Sequence, residues 1–322
     1  MTPEQDPAGV PANITVRDGR WRVHWQDPGA LRFTHPFFRD TLQTAGGSAH
    51  HETSLGKLGE LAVARPGLPP AGFIFHLSRC GSTLVSQMLA ALPRHIVLSE
   101  PRPVDALLWP CPEAPAASVR ERAAWLRWVV SALGRQRHPE EERVFIKFDS
   151  WHTLDLPLIR RAFPGVPCLF LYRDPVEILV SHSLRRGTQM IPGLLDPARL
   201  GVDLPAFTTA GMERYAARVL ACLAAAALDH LGPDARLVHY RDLPAAAWPG
   251  ILRFFKVEVS PDESARMAAA AIRDAKAPAR AFLPDTDFKQ SRATPALRAL
   301  ADECTGALYA RLEARRLAQP PL

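Results

Sequence analysis

The sequence predicts an α/β fold in which a parallel β-sheet lies between layers of α-helices. From about residue 70 onward, short apolar runs of strand length alternate with helical patterns, an order typical of parallel sheets with helical crossovers. Before residue 70, two alternating runs joined by Asp18-Gly19 predict a β-hairpin. We therefore expect an N-terminal extension with a β-hairpin, residues 1–70, and a larger α/β domain, residues 71–322.

The extension carries its clearest pattern at residues 14–25, where the hairpin is predicted. Trp21 and Trp25 lie in the second run of this hairpin. We interpret them as core packing, with a cap over a functional site or a homodimer surface as the alternatives. The Pro-rich stretch 65–70 predicts a linker to the α/β domain.

The α/β domain is predicted from its apolar runs in chain order. Strands are expected at 72–77, 95–99, 144–148, 167–172 and 236–240. Helices are expected at 82–92, 125–133, 156–163, 175–184, 205–230, 260–276 and 295–315. Three boundaries have a physical cause: Pro175 suits a first helical turn, Gly232-Pro233 ends a helix, and Ser260 with Glu263 forms a capping box.

Composition excludes several classes of protein. Of the 322 residues 47% are hydrophobic and 22% charged, which is globular composition without a run of ~18 apolar residues for a membrane span. The net charge of +6 favours anionic ligands, but no basic run indicates nucleic acid. The five cysteines are an odd number without a CxxC pair, so we expect reduced thiols in a cytoplasmic protein.

The most informative segment follows the strand predicted at 72–77. It reads Ser78-Arg79-Cys80-Gly81-Ser82-Thr83-Leu84, and a helix is expected from Ser82. Backbone N–H groups at the start of a helix lack intrahelical partners and lie at the positive end of its dipole, so they bind phosphate. Gly81 permits close approach of a ligand oxygen, and Arg79 adds a fixed charge. A Walker A string and a GxGxxG string are both absent from the sequence.

This segment resembles the phosphosulfate-binding loop of sulfotransferases that use 3′-phosphoadenosine 5′-phosphosulfate (PAPS). The family pattern is Pro-Arg/Lys-Ser-Gly-Thr-Thr-Leu/Trp, so Ser78 replaces a proline and Cys80 replaces a serine. The resemblance implies a three-layer P-loop-type domain, with Arg79, Cys80, Gly81, Ser82 and Thr83 binding the donor. Cys80, beside Arg79 at a helix N-terminus, is also expected to have a lowered pKa.

A second motif of the family follows the strand predicted at 167–172. The family pattern Arg-Asp-Pro-x-x-x-x-x-Ser matches Arg173-Asp174-Pro175 and Ser181, which implies that Arg173 and Ser181 bind the second phosphate of the donor. Tyr240, in a segment that resembles the family's Tyr-Glu-Asp-Leu, is expected either beside the adenine or as a sheet-end aromatic. Lys289 lies in 288–292, the candidate for the family's basic loop; a solvated surface charge is the alternative.

Sulfuryl transfer needs cations at the leaving phosphate and a base at the acceptor. Glu100 follows the strand at 95–99, one strand along the sheet edge from the loop. Glu100 and Arg102 resemble the base and arginine of the tyrosylprotein sulfotransferase branch, and Lys147 matches the family's strand lysine. Asp149 stands where cytosolic members have a histidine base, so Glu100 is the expected base and His152 the substitute.

The resemblance implies a transferase that moves a sulfuryl group from PAPS to a hydroxyl or amine, leaving adenosine 3′,5′-bisphosphate. A small-molecule or peptide acceptor is expected; the Gly/Pro-broken stretch 185–195 is a candidate cover for it. No metal is expected to be required, since the histidines show no ligand spacing. The alternatives are a P-loop kinase or NTPase and a non-catalytic nucleotide-binding module.

Overall fold

A computed structural model gives the fold of the chain. It describes residues 6–46, 51–206, 208–244, 247–275, 277–281 and 283–320. The predicted helices 205–230 and 260–276 therefore each include one residue, 207 and 276, that lies outside the described ranges.

Ten β-strands are present in the described ranges. They are β1 (Val10–Arg17), β2 (Arg20–Gln26), β3 (His51–Ser54), β4 (Pro70–His76), β5 (His95–Ser99), β6 (Arg143–Lys147), β7 (Cys168–Tyr172), β8 (Arg236–His239), β9 (Arg273–Asp274) and β10 (Ala277–Ala281).

Thirteen α-helices are present in the same ranges, with short 3₁₀ turns at Ser150–Asp155, Thr188–Met190 and Tyr240–Asp242. They are α1 (Phe38–Thr44), α2 (Leu55–Ala64), α3 (Ser82–Ala90), α4 (Arg102–Leu108), α5 (Val119–Leu133), α6 (Leu156–Ala162), α7 (Pro175–Leu184), α8 (Pro197–Leu200), α9 (Thr209–His230), α10 (Ala247–Phe254), α11 (Pro261–Ala271), α12 (Thr286–Arg292) and α13 (Pro295–Leu317).

The central sheet has five parallel strands in the order β5-β6-β4-β7-β8. Every residue of β5 and β7 is buried, as expected for parallel strands covered by helices on both faces. The predicted α/β fold with a parallel sheet flanked by helices is confirmed. Because β6 lies between β4 and β5, Glu100 is two strands away from the loop after β4 instead of one.

The extension forms its own antiparallel sheet in the order β1-β2-β3. The predicted hairpin is confirmed, with Asp18 and Gly19 both at positive φ, as a tight two-residue turn requires. Trp25 is 1% exposed and donates to Oγ1 of Thr53 at 2.8 Å, while Trp21 packs edge-on against Trp125 of α5. Trp25 therefore lies in the core, and Trp21 packs partly buried against it.

Some elements differ from the expectation. Helix α5 begins at Val119, six residues earlier than predicted, because Ser118 and Glu121 form a capping box there. Helix α1 overlaps the segment 35–42, whose sequence is compatible with the start of a helix, and helices α2, α4, α8, α10 and α12 and strands β3, β9 and β10 are additional. The expected basic loop 288–292 is part of α12, where Asp285 and Lys289 form an ion pair at 2.8 Å across one turn. None of the helices, as far as they are described, is long and apolar enough to cross a membrane.

Candidate functional site

The loop after β4 is held in a compact turn by local hydrogen bonds. Ser78, Arg79 and Gly81 all have positive φ, at 76°, 54° and 80°, before α3 begins at Ser82. The N–H of Ser78 donates to Nδ1 of His76 at 3.0 Å. The hydroxyl of Ser78 lies 3.1 Å from Nε2 of His182 on α7. A serine in place of the family's proline therefore ties the loop to the neighbouring helix.

The loop presents a row of backbone donors to one space. In the described part of the chain, the N–H groups of residues 79–84 donate to no protein acceptor. Such unpaired donors at the start of a helix form an anion-binding nest. Ser82 and Thr83 place their hydroxyl groups beside them, and both residues are buried. The loop is therefore arranged to bind an oxyanion.

Gly81 is required by both its conformation and its surroundings. Its φ is +80°, and a Cβ atom there would lie 2.5 Å from Cδ1 of Leu243 and 3.1 Å from Cδ2 of Tyr240. A side chain at this position would be strained and would clash, so the sequence prediction that the loop needs glycine here has a structural reason.

Arg79 reaches along the rim of the loop toward α7. Its Nη2 donates to the carbonyl oxygen of Arg185 at 2.8 Å. Burial lowers the pKa of Arg79, and the nearby charge of Arg185 lowers it further. Neither arginine has a carboxylate within 4.0 Å among the described residues. The rim therefore holds two guanidinium groups whose charges a bound anion would stabilise.

The expectation of a lowered pKa for the Cys80 thiol is wrong. The residue is 0% exposed, its Sγ donates to the carbonyl oxygen of Ser78, and burial raises its pKa to about 12. The side chain points into the core, so only the backbone N–H of Cys80 faces the ligand space. The exchange of serine for cysteine is therefore compatible with anion binding.

The second cluster is built around Arg173, which is 1% exposed. Its Nε contacts Oε2 of Glu177, and its Nη2 lies 2.7 Å from Oδ1 of Asp285. Its guanidinium carbon stacks 3.7 Å from the ring centroid of Tyr240. Lys289 joins this cluster through Asp285 and is 6% exposed, so it is not the solvated surface charge named as its alternative.

The ends of β5 and β6 form the third part of the site. The N–H of Glu100 donates to the carbonyl oxygen of Lys147 at 2.7 Å, and Glu100 has a positive φ of 55°. The ammonium group of Lys147 contacts Oε1 of Glu100 and is 0% exposed. His76 Nε2 lies 3.9 Å from the same carboxylate. The structure thus brings the expected base and the expected lysine together.

A cluster of three further polar side chains lies next to Glu100: Asp105, Asp149 and His152. Each of the three offers one atom that could bind a metal ion, and these three atoms lie within 4.8 Å of one another. Burial raises the pKa of Asp149 well above its usual value, and the charges of Glu100 and Asp105 add to this effect. His152 Nε2 lies 2.8 Å from Oδ1 of Asp105, and the indole N–H of Trp151 donates to the same oxygen. Oδ1 of Asp105 and Nε2 of His152 are therefore already paired with other groups of the protein.

One cleft of about 750 Å³ joins all three clusters. The predicted site residues that line it are Arg79, Cys80, Gly81, Ser82, Thr83, Glu100, Arg102, Arg173, Ser181, Tyr240 and Lys289. Lys147 does not line the cleft and reaches it through Glu100. The loop after β4 and the Arg173–Ser181 segment thus face the same space.

Other residues of the cleft were not predicted. Phe37 and Arg39 come from the N-terminal extension, so the extension contributes a wall of the site. The ring of Phe37 lies 5.4 Å from the ammonium group of Lys147. Asp285 and Arg185 also line the cleft. No local pattern in the sequence marked these residues, although Arg185 stands in the stretch expected to cover the acceptor.

Comparisons with protein-family models and with curated proteins find no match. Among solved structures, sulfotransferase STF9 from Mycobacterium avium is 15% identical with a TM-score of 0.48, covering 77% of this chain and 79% of that one. A sulfotransferase from Alicyclobacillus acidocaldarius is 15% identical with a TM-score of 0.45, covering 78% and 97%. Mouse sulfotransferase SULT7A1, complexed with PAP, is 11% identical with a TM-score of 0.42, covering 83% and 95%. At these identities and TM-scores, the likeness does not define an activity.

Proposed function

We propose that this chain transfers a sulfuryl group from PAPS to a hydroxyl or amine acceptor. One observation carries the proposal: a single cleft connects the unpaired N–H groups of 79–84 with Arg173 and with Glu100. An anion-binding loop, a second cationic pocket and a carboxylate are the parts that a transfer between an adenine nucleotide with two phosphate groups and an acceptor requires.

Each of the two anion sites would bind one end of the donor. The N–H groups of 79–84, the hydroxyls of Ser82 and Thr83, and Arg79 would hold the phosphosulfate end. Arg173, Ser181 and Lys289 would hold the 3′-phosphate. Tyr240 lies between the two sites, against both the guanidinium of Arg173 and the position of Gly81. A nucleotide that spans the cleft would therefore place its sulfate toward Glu100.

The chemistry follows from what each group can do with a proton or a charge. The acceptor oxygen attacks sulfur, its proton passes to the carboxylate of Glu100, and the bond between sulfur and the phosphate oxygen breaks. Negative charge grows on the leaving phosphate, where Arg79 and the loop N–H groups stabilise it. The ammonium group of Lys147 contacts this carboxylate and places a positive charge beside it, and Arg102 lines the cleft as a further cation.

The kinase or NTPase alternative has one observation in its favour, the Asp105–Asp149–His152 cluster. Oδ1 of Asp105 is already hydrogen-bonded to Trp151 and His152, and the third member of the cluster is an imidazole, whereas Mg²⁺ prefers oxygen ligands. The loop also lacks the lysine that such enzymes place on the phosphates. Sulfuryl transfer without a resident metal gives a role to more of the residues that line the cleft, because Arg79, Arg173 and Lys289 then serve as the cations.

The reaction is proposed to occur in the cytoplasm on a small-molecule or peptide hydroxyl. The five cysteines are all unpaired, as expected in a reducing compartment. Phe37 and Arg39 of the extension, together with Arg185, line the same cleft as Glu100 and would contact the acceptor.

An acceptor screen with ³⁵S-labelled PAPS tests the proposal. The wild-type chain should transfer label to at least one hydroxyl or amine compound, and Arg79→Ala should transfer at least about tenfold less, consistent with the loss of a charge-assisted contact. Arg127→Ala is the matched control, because Arg127 is exposed on α5 and does not line the cleft. Equal transfer by wild type and Arg79→Ala would contradict the assigned loop.

A further inference from the structure

A carboxylate of the protein itself occupies the cationic pocket around Arg173. Oδ1 of Asp285 lies 2.7 Å from Nη2 of Arg173, and Oδ2 lies 2.8 Å from Nζ of Lys289. The hydroxyl group of Tyr240 donates to Oδ1 at 3.3 Å. Asp285 therefore pairs with both cations that the proposed function assigns to the 3′-phosphate of the nucleotide.

The burial of these three groups is unequal. The side chains of Arg173 and Lys289 are 2% and 7% exposed, whereas the side chain of Asp285 is 41% exposed. Buried cations need a counterion, because removing a charge from water without a partner is costly. Asp285 supplies that counterion from the solvent side, which is the side from which a ligand arrives.

A second carboxylate near Arg173 is fixed in a different way. Glu177 is 5% exposed and contacts Nε of Arg173 from within the protein. Glu177 also accepts hydrogen bonds from Gln290 at 3.1 Å and from Thr286 at 3.3 Å. Of the two carboxylates, Asp285 is the one that an incoming anion can displace.

We propose that Asp285 is an internal competitor for the 3′-phosphate, which sets nucleotide affinity and promotes release of the bisphosphate product. This inference rests on the proposed function. A phosphate brings up to two negative charges and three oxygens to Arg173 and Lys289, so it can replace the single charge of the carboxylate. When the product leaves, the carboxylate returns to both cations and lowers the cost of exposing an empty pocket.

Three nucleotide probes separate this role from a general charge effect. In Asp285→Asn, adenosine 3′,5′-bisphosphate should bind about tenfold more tightly than in wild type, because the competitor is gone. Adenosine 5′-phosphate has no 3′-phosphate, so its Kd should change by less than about twofold. With labelled PAPS and a working acceptor, KM and kcat should both fall, since a tighter product leaves more slowly.

Asp287→Asn is the matched control, because Asp287 makes the same charge change on α12, is exposed, and does not line the cleft. It should bind all probes as wild type does. Unchanged or weaker bisphosphate binding by Asp285→Asn would overturn the inference. Equal tightening of both nucleotides would also overturn it, since the effect would then be general electrostatic attraction.

Two further measurements cover a destabilised variant and a failure of the proposed function. If Asp285→Asn loses stability, bisphosphate should raise its Tm more than that of wild type, and Asp285→Ser should behave in the same way. If no nucleotide binds to any variant, the proposed function fails, and inorganic phosphate becomes the probe. A larger Tm increase with phosphate in Asp285→Asn than in wild type would support the competing carboxylate, and an equal increase would overturn it.

Discussion

The ammonium group of Lys147 contacts the carboxylate of Glu100 at the point where β6 and β5 end side by side. The backbone adds to this contact, because the N–H of Glu100 donates to the carbonyl oxygen of Lys147 at 2.7 Å. Lys147 is fully buried, so its charge is directed toward a carboxylate that lines the cleft. This pair defines the acceptor end of the proposed site.

Glu100→Gln should abolish most of the transfer and leave nucleotide binding intact. The amide keeps the shape of the side chain but cannot accept the acceptor's proton, so we expect turnover to fall by ~10²- to 10⁴-fold. The Kd of adenosine 3′,5′-bisphosphate should stay within about twofold of wild type, as measured by calorimetric titration. Glu60→Gln is the control, because Glu60 is 74% exposed and does not line the cleft. A Glu100→Gln enzyme with wild-type turnover would remove Glu100 as the base.

Gly81→Ala should prevent nucleotide binding. The new methyl group would lie 2.5 Å from Cδ1 of Leu243 and 3.1 Å from Cδ2 of Tyr240, so Leu243, the Tyr240 ring or the loop must shift, and a shift of the ring or of the loop disturbs the anion-binding space. Gly165→Ala is a matched control, because Gly165 has nearly the same φ, +81°, with nothing within 4 Å of the added Cβ. Both substitutions should cost about 1 kcal/mol of backbone strain. Only Gly81→Ala should lose bisphosphate binding; retention of wild-type affinity would show that the loop does not need this close contact.

Cys80 should react slowly with iodoacetamide at pH 8. Its Sγ is fully buried and burial raises its pKa to about 12, so little thiolate forms and little of it is accessible. Cys111 is exposed and serves as the internal reference in the same sample. Peptide mass mapping over time should show Cys111 modified at least about tenfold faster than Cys80. Modification of Cys80 at the rate of Cys111 would place its thiol in solvent and contradict the described core.

Asp149→Asn should stabilise the protein increasingly as the pH rises from 4 to 8. Burial and the charges of Glu100 and Asp105 raise the pKa of Asp149 in the folded state, so the folded state binds this proton more tightly than the unfolded state. That stability is present below the unfolded pKa of ~3.9 and is lost as the pH rises through the folded pKa.

Asparagine does not ionise, so the variant avoids this loss by ~1.4 kcal/mol for each unit of the raised pKa. Thermal unfolding across this pH range measures the difference in Tm between the variant and wild type. Asp287→Asn, on the surface of α12, should show no such trend. A difference for Asp149→Asn that does not change with pH would contradict a raised pKa.

Much of the central sheet could be predicted because its strands are short apolar runs next to recognisable helix boundaries. Strand β5 and helix α7 have the predicted limits, since Pro175 marks the start of α7 and Glu100-Pro101 follows β5. The order of the strands was harder to obtain. Parallel pairing depends on contacts between segments that are distant in the sequence. No local sequence pattern therefore predicts that β6 lies between β4 and β5.

The candidate site could be predicted mainly where a motif follows a strand. Arg79 and Arg173 fit this description, and the structure directs both toward one cleft. Phe37 and Asp285 reach the cleft from elements far away in the sequence, so no spacing rule could find them. The error at Cys80 has the same origin, because the sequence shows a helix N-terminus beside an arginine but not the direction in which the thiol points.

The central claim is that one nucleotide with two phosphate groups spans the loop after β4 and the pocket around Arg173. Calorimetric titration of the wild-type chain with adenosine 3′,5′-bisphosphate, and separately with ATP and Mg²⁺, tests it most directly. We predict one molecule of bisphosphate bound per chain, with a Kd at least about tenfold below that of adenosine 5′-phosphate, and weaker binding of ATP. Absence of bisphosphate binding, or tighter binding of ATP with Mg²⁺, would contradict the claim.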